Sequence, residues 1–174
     1  MQLFFAASEV APFIKTGGLA DVAGSLPNAL AKLGHDVRVI LPLYSAIPAK
    51  WRRQMTFLKR FHFPLSWRNA YCGLFSLEYQ GLTYYFIDNE YYFKREGLYG
   101  QFDDGERFAY FSRACLESLR YLGMQPDIVH CHDWQTALVP MLLNMQYRGD
   151  FPNTRSILTI HNIEYQGKCG LDFN

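Results

Sequence analysis

The sequence has no excess of charge of one sign. Its 17 Lys and Arg residues nearly match its 16 Asp and Glu residues, so the formal net charge is +1 over 174 residues. This balance does not favour nucleic acid or an anionic membrane surface as a partner. No apolar run approaches the roughly 18 residues that a membrane span needs. Met1-Gln2 leads into an apolar stretch without a basic leader, so we expect a cytoplasmic protein.

Cysteine is also scarce. The four cysteines are Cys72, Cys115, Cys131 and Cys169, and none forms a Cys-x-x-Cys pair. We interpret them as buried or incidental thiols of a reducing compartment rather than a disulfide framework. The run His130-Cys131-His132 suggests a metal site, but alternate residues of a strand point to opposite faces. The three side chains could not easily bind one ion, so we expect no metal and no other cofactor.

Apolar residues, by contrast, are plentiful. They make up 49% of the chain, with 14 Phe and 12 Tyr. This composition is typical of a folded globule and excludes a disordered chain. A length of 174 residues suits one ordinary domain with a sizeable core.

Short apolar runs alternate with amphipathic segments. Four runs read as parallel strands buried on both faces: Leu3–Ala7, Val37–Leu41, Ile128–His132 and Ser156–Ile160. Three segments have helical periodicity: Leu19–Leu33, which Gly34 ends, Glu106–Leu122 and Trp134–Tyr147. This order predicts an open α/β sheet with right-handed crossovers.

The middle of the chain has a different pattern. Three short runs separated by turns predict hairpins: Phe57–Leu65, Ala70–Glu78 and Leu82–Ile87. The segment Asn89–Gly105 reads as a long loop, of the kind that is often functional. The fold class that we predict is therefore a doubly wound, mostly parallel α/β sheet with an antiparallel hairpin extension, in one domain over residues 1–174.

A glycine pair after the first strand indicates an anion site. Gly17 and Gly18 permit a tight turn, and the helix that follows offers free N–H groups to a ligand. Lys15 adds a full positive charge beside them. The spacing matches neither a Walker A loop nor the dinucleotide fingerprint, which disfavours a dinucleotide-dependent reductase. Local chemistry leaves open a plain strand–turn–helix connection with a solvated lysine.

Three blocks together carry a family resemblance. They read SEVAPFIKTGGLADV (8–22), DIVHCHDWQTA (127–137) and TIHNIEYQG (159–167). In order and approximate spacing they resemble bacterial glycogen synthases and plant starch synthases. The resemblance implies one of two Rossmann-like domains of a GT-B glycosyltransferase. The polar part of each block follows a predicted strand, at Ser8–Asp21, His132–Gln135 and His161–Asn162. Ligands of such sheets bind beyond the carboxyl ends of the strands.

The resemblance implies roles for residues that bind the donor. Lys15, with Gly17 and Gly18, would approach the diphosphate of ADP-glucose, whose charge must be stabilised as the glycosidic bond breaks. Asp21 would contact the ribose of the nucleotide. From spacing alone, Asp21 fits equally well as a carboxylate that favours the helix dipole.

The other two blocks would surround the transferred sugar. The resemblance places His161 beside the glucose, Asn162 among the residues that bind ADP-glucose and Asp133 near the sugar hydroxyls. Chemistry alone also allows a structural His161 and an Asp133 that caps the following helix.

Acceptor glucan could contact further residues. Glu9 could pair with Lys15 or contact the glucan, and Tyr92, Tyr99 and Arg95 of the long loop could line the sugar site. Packing within the loop is the simpler interpretation of these last three.

The resemblance implies a retaining transfer of glucose from ADP-glucose to α-1,4-glucan without a divalent metal. In the family, further diphosphate-binding and carboxylate residues lie in a second domain. We therefore expect this chain to be inactive in transfer by itself, and it could still bind maltooligosaccharide. A non-enzymatic α/β module that binds a glycan or nucleotide is the alternative, because fold alone does not establish activity.

Overall fold

The computed structural model describes residues 1–168, and its seven strands form one mixed sheet. The strands are β1 (Gln2–Ala6), β2 (Asp36–Pro42), β3 (Thr56–Leu65), β4 (Arg68–Tyr79), β5 (Leu82–Asp88), β6 (Ile128–His132) and β7 (Arg155–Thr159). Their order across the sheet is β3-β4-β5-β2-β1-β6-β7. The five strands from β5 to β7 are parallel, and β4 pairs antiparallel with both β3 and β5. The predicted fold class is confirmed.

Five α-helices connect these strands within the described residues. They are α1 (Gly18–Lys32), α2 (Ala49–Arg52), α3 (Glu90–Phe93), α4 (Asp104–Leu122) and α5 (Leu138–Met145). The one-turn helices α2 and α3 were not predicted, and α3 lies in the segment interpreted as a loop. None of the helices in residues 1–168 is long and apolar enough to span a bilayer.

The prediction of one helix over Trp134–Tyr147 is wrong in one respect. The structure has two separate elements there. A 3-10 turn covers Trp134–Thr136, and α5 begins only at Leu138. Pro140 has no N–H to donate to the carbonyl of Thr136, and its ring would clash with that carbonyl in a continuous helix. Pro140 lies in the first turn of α5, where backbone N–H groups have no partner within the helix, so its missing N–H breaks no hydrogen bond.

The loop between β1 and α1 is fixed against the helix that follows it. The Ala11 N–H donates to the Ala20 carbonyl at 3.0 Å. A Cβ placed on Gly24 would lie 2.6 Å from the Ala11 carbonyl oxygen, so only glycine permits this close contact. The loop therefore leaves β1 in one defined direction and brings Lys15 to Gly17 to the carboxyl edge of the sheet.

The segment predicted as a loop, Asn89–Gly105, is held by a buried arginine. Arg107 is fully buried in α4 and donates to the carbonyls of Tyr92 and Leu98 at 2.8 and 3.1 Å. Its guanidinium also pairs with Asp104 at 2.5 Å. A guanidinium offers five donors in a rigid fork, so one side chain fixes several points of the segment.

The two edges of the sheet differ in their cover. Strand β3 carries Lys59 and Arg60 and a register shift between Phe57 and Lys59, which are features of a protected edge. Strand β7 instead exposes 45% of Ile157 and 41% of Leu158. No strand within residues 1–168 pairs with the outer side of β7.

Candidate functional site

A cleft of about 1080 Å³ opens at the carboxyl edge of the parallel strands. Strand order reverses at β1, because β2 lies on one side of it and β6 on the other. Ligands of open α/β sheets bind at such a reversal. The cleft is lined by Glu9, Thr16, Gly17, Gly18, Leu19, Val22, Tyr99, Gly100, Asp104, Asp133, Trp134, Gln135, His161, Asn162 and residues 164–168.

One side of the cleft, which we call the glycine wall, consists of Glu9, Thr16, Gly17 and Gly18. Gly17 is the residue before α1, and no side chain caps the helix. The first N–H groups of α1 therefore have no partner within the helix and carry the positive end of its dipole. A ligand anion in the cleft can accept hydrogen bonds from them.

Glu9 holds the glycine wall in place. Its Oε2 accepts the Thr16 backbone N–H at 2.5 Å and the Thr16 hydroxyl at 2.8 Å. Only 3% of Glu9 is exposed, so these bonds operate largely out of water. The suggested pairing of Glu9 with Lys15 is not what the structure has, because the Glu9 carboxylate bonds to Thr16.

Lys15 pairs instead with Asp21. Its Nζ lies 2.7 Å from both carboxylate oxygens, and the two side chains are 52% and 59% exposed. An ion pair at this exposure contributes little to stability. Neither residue is among those that line the cleft, although their sequence neighbours Thr16, Gly17 and Val22 are.

A second part of the cleft lining, which we call the histidine wall, consists of Asp133 and His161, with the buried His132 behind them. His132 ends β6, and His161 follows β7, its parallel neighbour. The Nδ1 of His132 lies 2.9 Å from the Nε2 of His161, and the two rings are inclined by only 20°. The Asp133 Oδ1 accepts the His161 backbone N–H at 2.7 Å. Two bonds therefore tie His161 to the end of the neighbouring strand.

Asp133 has an unusual backbone conformation. Its φ is +57° and its ψ is −173°, a combination that essentially only glycine adopts without strain. Although Asp133 precedes the 3-10 turn, its side chain makes no capping hydrogen bond there. The suggested capping role is therefore wrong, and the carboxylate serves His161 instead.

Burial keeps the inner histidines neutral. It lowers the pKa of His132 to about 3, with smaller contributions from the neighbouring His130 and His161. Burial likewise lowers the pKa of His130, which stacks on His132 at 4.3 Å between ring centroids. His130 bonds to Thr159 rather than to His161. At neutral pH the His132 ring therefore carries one proton.

The structure brings together most of the residues chosen from sequence. Glu9, Gly17, Gly18, Asp133, His161 and Asn162 line the same cleft, whereas Lys15 and Asp21 are not among its lining residues and pair with each other. Tyr92 and Arg95 are not among the lining residues. The Tyr92 hydroxyl donates to Glu106 at 2.6 Å, and Arg95 pairs with Asp103 at 2.5 Å. Tyr99 does line the cleft, and its hydroxyl lies 2.7 Å from that of Ser8.

Sequence reasoning missed the part that His132 plays. The sequence predicts that His132–Gln135 lies at the ligand edge of the sheet, but it gives His132 no role beyond that of an improbable metal ligand. Within residues 1–168, no cluster of three or more His, Cys, Asp or Glu side chains is arranged to hold a metal ion. Cys72, Cys115 and Cys131 are buried free thiols, whereas Cys169 lies outside the described residues.

Comparisons with known proteins agree on one family. Residues 2–174 match the family described as the starch synthase catalytic domain. The chain is 56% identical to a glycogen synthase of Desulforamulus reducens over 169 residues, which cover 96% of this chain and 35% of that protein. It is 54% identical to a glycogen synthase of Geobacillus thermodenitrificans, with the same shares covered. The chain thus spans about a third of the length of the curated relatives it matches.

A solved structure gives the same result. The catalytic domain of Starch Synthase IV from Arabidopsis thaliana, bound to ADP and acarbose, superimposes with a TM-score of 0.88. It is 38% identical in sequence, and the match covers 98% of this chain and 37% of that one. A sucrose-phosphate synthase from Thermosynechococcus elongatus, at 14% identity and a TM-score of 0.53, shares the fold alone.

Proposed function

The chain belongs to the starch synthase catalytic domain family, and we propose that it is the N-terminal, acceptor-side domain of an ADP-glucose:α-1,4-glucan glucosyltransferase. The reaction would move glucose from ADP-glucose to the non-reducing end of glycogen or maltooligosaccharide, with retention of configuration. The observation that carries this proposal is one cleft whose lining includes an uncapped helix N-terminus, a histidine and a carboxylate.

The glycine wall would bind the nucleotide diphosphate. The N–H groups at the start of α1 and the nearby Lys15 can stabilise the negative charge that develops on departing ADP. The presence of ADP in the Arabidopsis relative supports an adenine nucleotide as donor. Asp21 now holds Lys15, and we propose that it moves to the ribose when phosphate takes its place.

The histidine wall would hold the glucosyl group. His161 and Asp133 line the same cleft as the glycine wall, and exposed Asn162 follows His161 in the lining. As the glycosidic bond lengthens, the sugar gains positive charge, which a nearby carboxylate and a polar imidazole can stabilise. Of the suggested acceptor residues, Glu9 fits best as the support of the glycine wall, while Tyr92 and Arg95 support the neighbouring segment.

A second domain would complete the site. The curated relatives are about three times as long as this chain. The exposed apolar residues Ile157 and Leu158 of β7 also suit burial under further polypeptide. We therefore propose that residues 1–174 form one Rossmann-like domain that is inactive in transfer alone. A cytoplasmic bacterial enzyme fits the organisms of the relatives.

An assay of the complete protein tests the proposal. ADP-glucose or UDP-glucose is supplied with glycogen, and chain elongation is measured beside residues 1–174 alone. We expect transfer from ADP-glucose by the complete protein, an α-configured product and no transfer by the shorter chain. Failure of the complete protein to elongate glycogen from either donor would overturn the proposal. Amide shifts of residues 1–174 on addition of maltoheptaose would test glucan binding separately.

Replacement of Lys15 tests the donor site directly. Lys15→Ala should lower kcat/KM for ADP-glucose, by an amount that corresponds to about 2–4 kcal/mol of lost transition-state stabilisation. The reason is that the lost cation would stabilise the diphosphate in the transition state. Lys32→Ala is the matched control, since Lys32 lies in the last turn of the same helix. Equal catalytic efficiency of the two variants would show that Lys15 is only a solvated turn residue.

A further inference from the structure

Three imidazoles lie in a row behind the cleft. His130 and His132 occupy the same face of β6, and their rings stack at 4.3 Å between centroids. His132 in turn contacts His161, with Nδ1 and Nε2 separated by 2.9 Å. Phe5 of β1 flanks both strand histidines, at 4.8 and 5.5 Å between ring centroids. Only His161 in this row lines the cleft.

The contact between His132 and His161 needs exactly one proton between the two nitrogens. His132 is fully buried, and its lowered pKa leaves it neutral with a single N–H. Its other nitrogen, Nε2, is buried without a hydrogen-bond partner among residues 1–168. The ring must therefore place its proton either in the bond to His161 or on this isolated nitrogen.

The two tautomers differ in cost. A proton on Nε2 would leave a buried N–H donor without an acceptor, which native structures almost never contain. A proton on Nδ1 leaves only an unused lone pair on Nε2, and unsatisfied acceptors are better tolerated. The second arrangement also makes Nδ1 the donor in the observed contact. His132 therefore donates, and the Nε2 of His161 accepts.

We propose that His132 is a positioning residue that fixes the tautomer and orientation of His161 by donating its Nδ1–H to the Nε2 of His161. Neutral His161 then carries its own proton on Nδ1, which is left to donate to the oxygen of a sugar in the cleft. Asp133 fixes the same residue from its backbone N–H, so ring and backbone are both anchored to the end of β6. The role in catalysis rests on the proposed glucosyl transfer, whereas the tautomer does not.

Nitrogen NMR of the complete protein tests the tautomer. Histidine is labelled with ¹⁵N, and long-range ¹H–¹⁵N spectra at pH 7 identify the protonated nitrogen of each ring. We expect His132 and His161 each to carry the proton on Nδ1. A proton on the Nε2 of either residue would overturn the proposal, whether or not the protein transfers glucose.

Kinetics of the complete protein test the positioning role. His132→Phe keeps a buried ring but removes the donor, and should lower kcat about tenfold or more with little change in the KM for ADP-glucose. His132→Asn can place an amide N–H near the position of Nδ1 and should restore most of kcat. His130→Phe is the matched control, because that ring lies on the same face of β6 but bonds to Thr159.

The possible outcomes separate the two proposals. Wild-type kcat in His132→Phe, or equal losses in the Phe and Asn variants, would overturn the positioning role. If His132→Phe fails to fold, the NMR spectrum and His132→Asn still decide. Absence of transfer by the wild-type protein would refute the proposed function instead, and the protonation of His161 would be decided by NMR alone.

Discussion

Two carboxylates hold the two walls of the cleft, and they do so in different ways. Glu9 accepts the backbone N–H of Thr16, seven residues along the same loop. Asp133 accepts the backbone N–H of His161, 28 residues away and beyond a different strand. Glu9 therefore shapes one turn, whereas Asp133 ties the residue that follows β7 to the end of β6.

The backbones of the two carboxylates differ as well. Asp133 is one of three non-glycine residues with positive φ in residues 1–168, and Glu9 is not among them. Strain at a residue of this kind persists only where the surrounding structure enforces it. The comparison indicates that the histidine wall depends on a strained, long-range contact and the glycine wall on a relaxed, local one.

Removing the carboxylate of Asp133 should have the largest effect. Asp133→Gly frees His161 but also relieves the strain at φ +57°. We expect kcat to fall about 100-fold, because a small displacement of a group in the site is sufficient for such a loss. The free energy of unfolding should change by no more than about 1 kcal/mol, since the lost hydrogen bond and the relieved strain are similar in size and opposite in effect.

Calorimetry and steady-state kinetics of the complete protein check this prediction. Asp133→Asn is the control, because it keeps an acceptor oxygen and the strained backbone while losing the charge. Its activity should lie between those of the wild type and Asp133→Gly. Full activity in Asp133→Gly would show that the contact with His161 is incidental.

The same difference, between local and long-range contacts, determines which features could be predicted from the sequence. The strand, glycine turn and helix of residues 2–32 are predictable because each signal is local: an apolar run, two glycines and Gly34 as a stop. The convergence of the glycine turn with His161 follows from the rule that parallel strands share a carboxyl edge. Sequence order and strand polarity are sufficient for that result.

The partners of individual side chains were not predictable in the same way. Asp133 looked like a helix cap, because Asp before a turn usually serves that purpose. Its actual partner, His161, is brought near by the pairing of β6 with β7 and leaves no signal in the local sequence. The break in the predicted helix after Asp133 has a local cause in Pro140, which disfavours a continuous helix there. Proline alone does not predict such a break, because α1 continues through Pro27.

Acid should weaken the histidine wall. The pKa of His132 is about 3 in the folded protein against 6.5 for an ordinary histidine, so the unfolded chain binds more protons between these values. The stability that neutral His132 contributes is therefore fully present above about pH 6.5, and it is lost as the pH falls toward 3. The loss attributable to His132 should reach about 2 kcal/mol between pH 7 and pH 5.

Unfolding temperatures at pH 7 and pH 5 measure this effect. His132→Phe cannot titrate, so its unfolding temperature should fall less with acid than that of the wild type. His130→Phe should also reduce the acid sensitivity, since burial lowers the pKa of His130 too. The same acid sensitivity in the wild type and in His132→Phe would mean that folding does not lower the pKa of His132.

The glycine wall should respond more mildly to loss of charge. Glu9→Gln keeps one acceptor oxygen for the Thr16 N–H but replaces a charged acceptor by a neutral one. We expect the KM for ADP-glucose to rise about fivefold, with kcat less affected, because bonds to charged groups are the stronger by about 1 kcal/mol. Glu90→Gln is the control, since Glu90 forms only an exposed pair with Lys94. A larger loss than in Asp133→Gly would reverse the ranking of the two walls.

Loss of the Thr16 hydroxyl should have the smallest effect. Thr16→Val keeps the shape of the side chain and the backbone N–H, and removes only the second bond to Glu9. We expect the KM for ADP-glucose to rise about threefold or less, since one hydrogen bond at an exposed residue contributes under about 1 kcal/mol. Thr16→Ser, which retains the hydroxyl, should match the wild type. If Thr16→Val were as impaired as Glu9→Gln, the side chain rather than the backbone N–H would be what Glu9 holds, and the two walls would no longer share a carboxylate-to-backbone design.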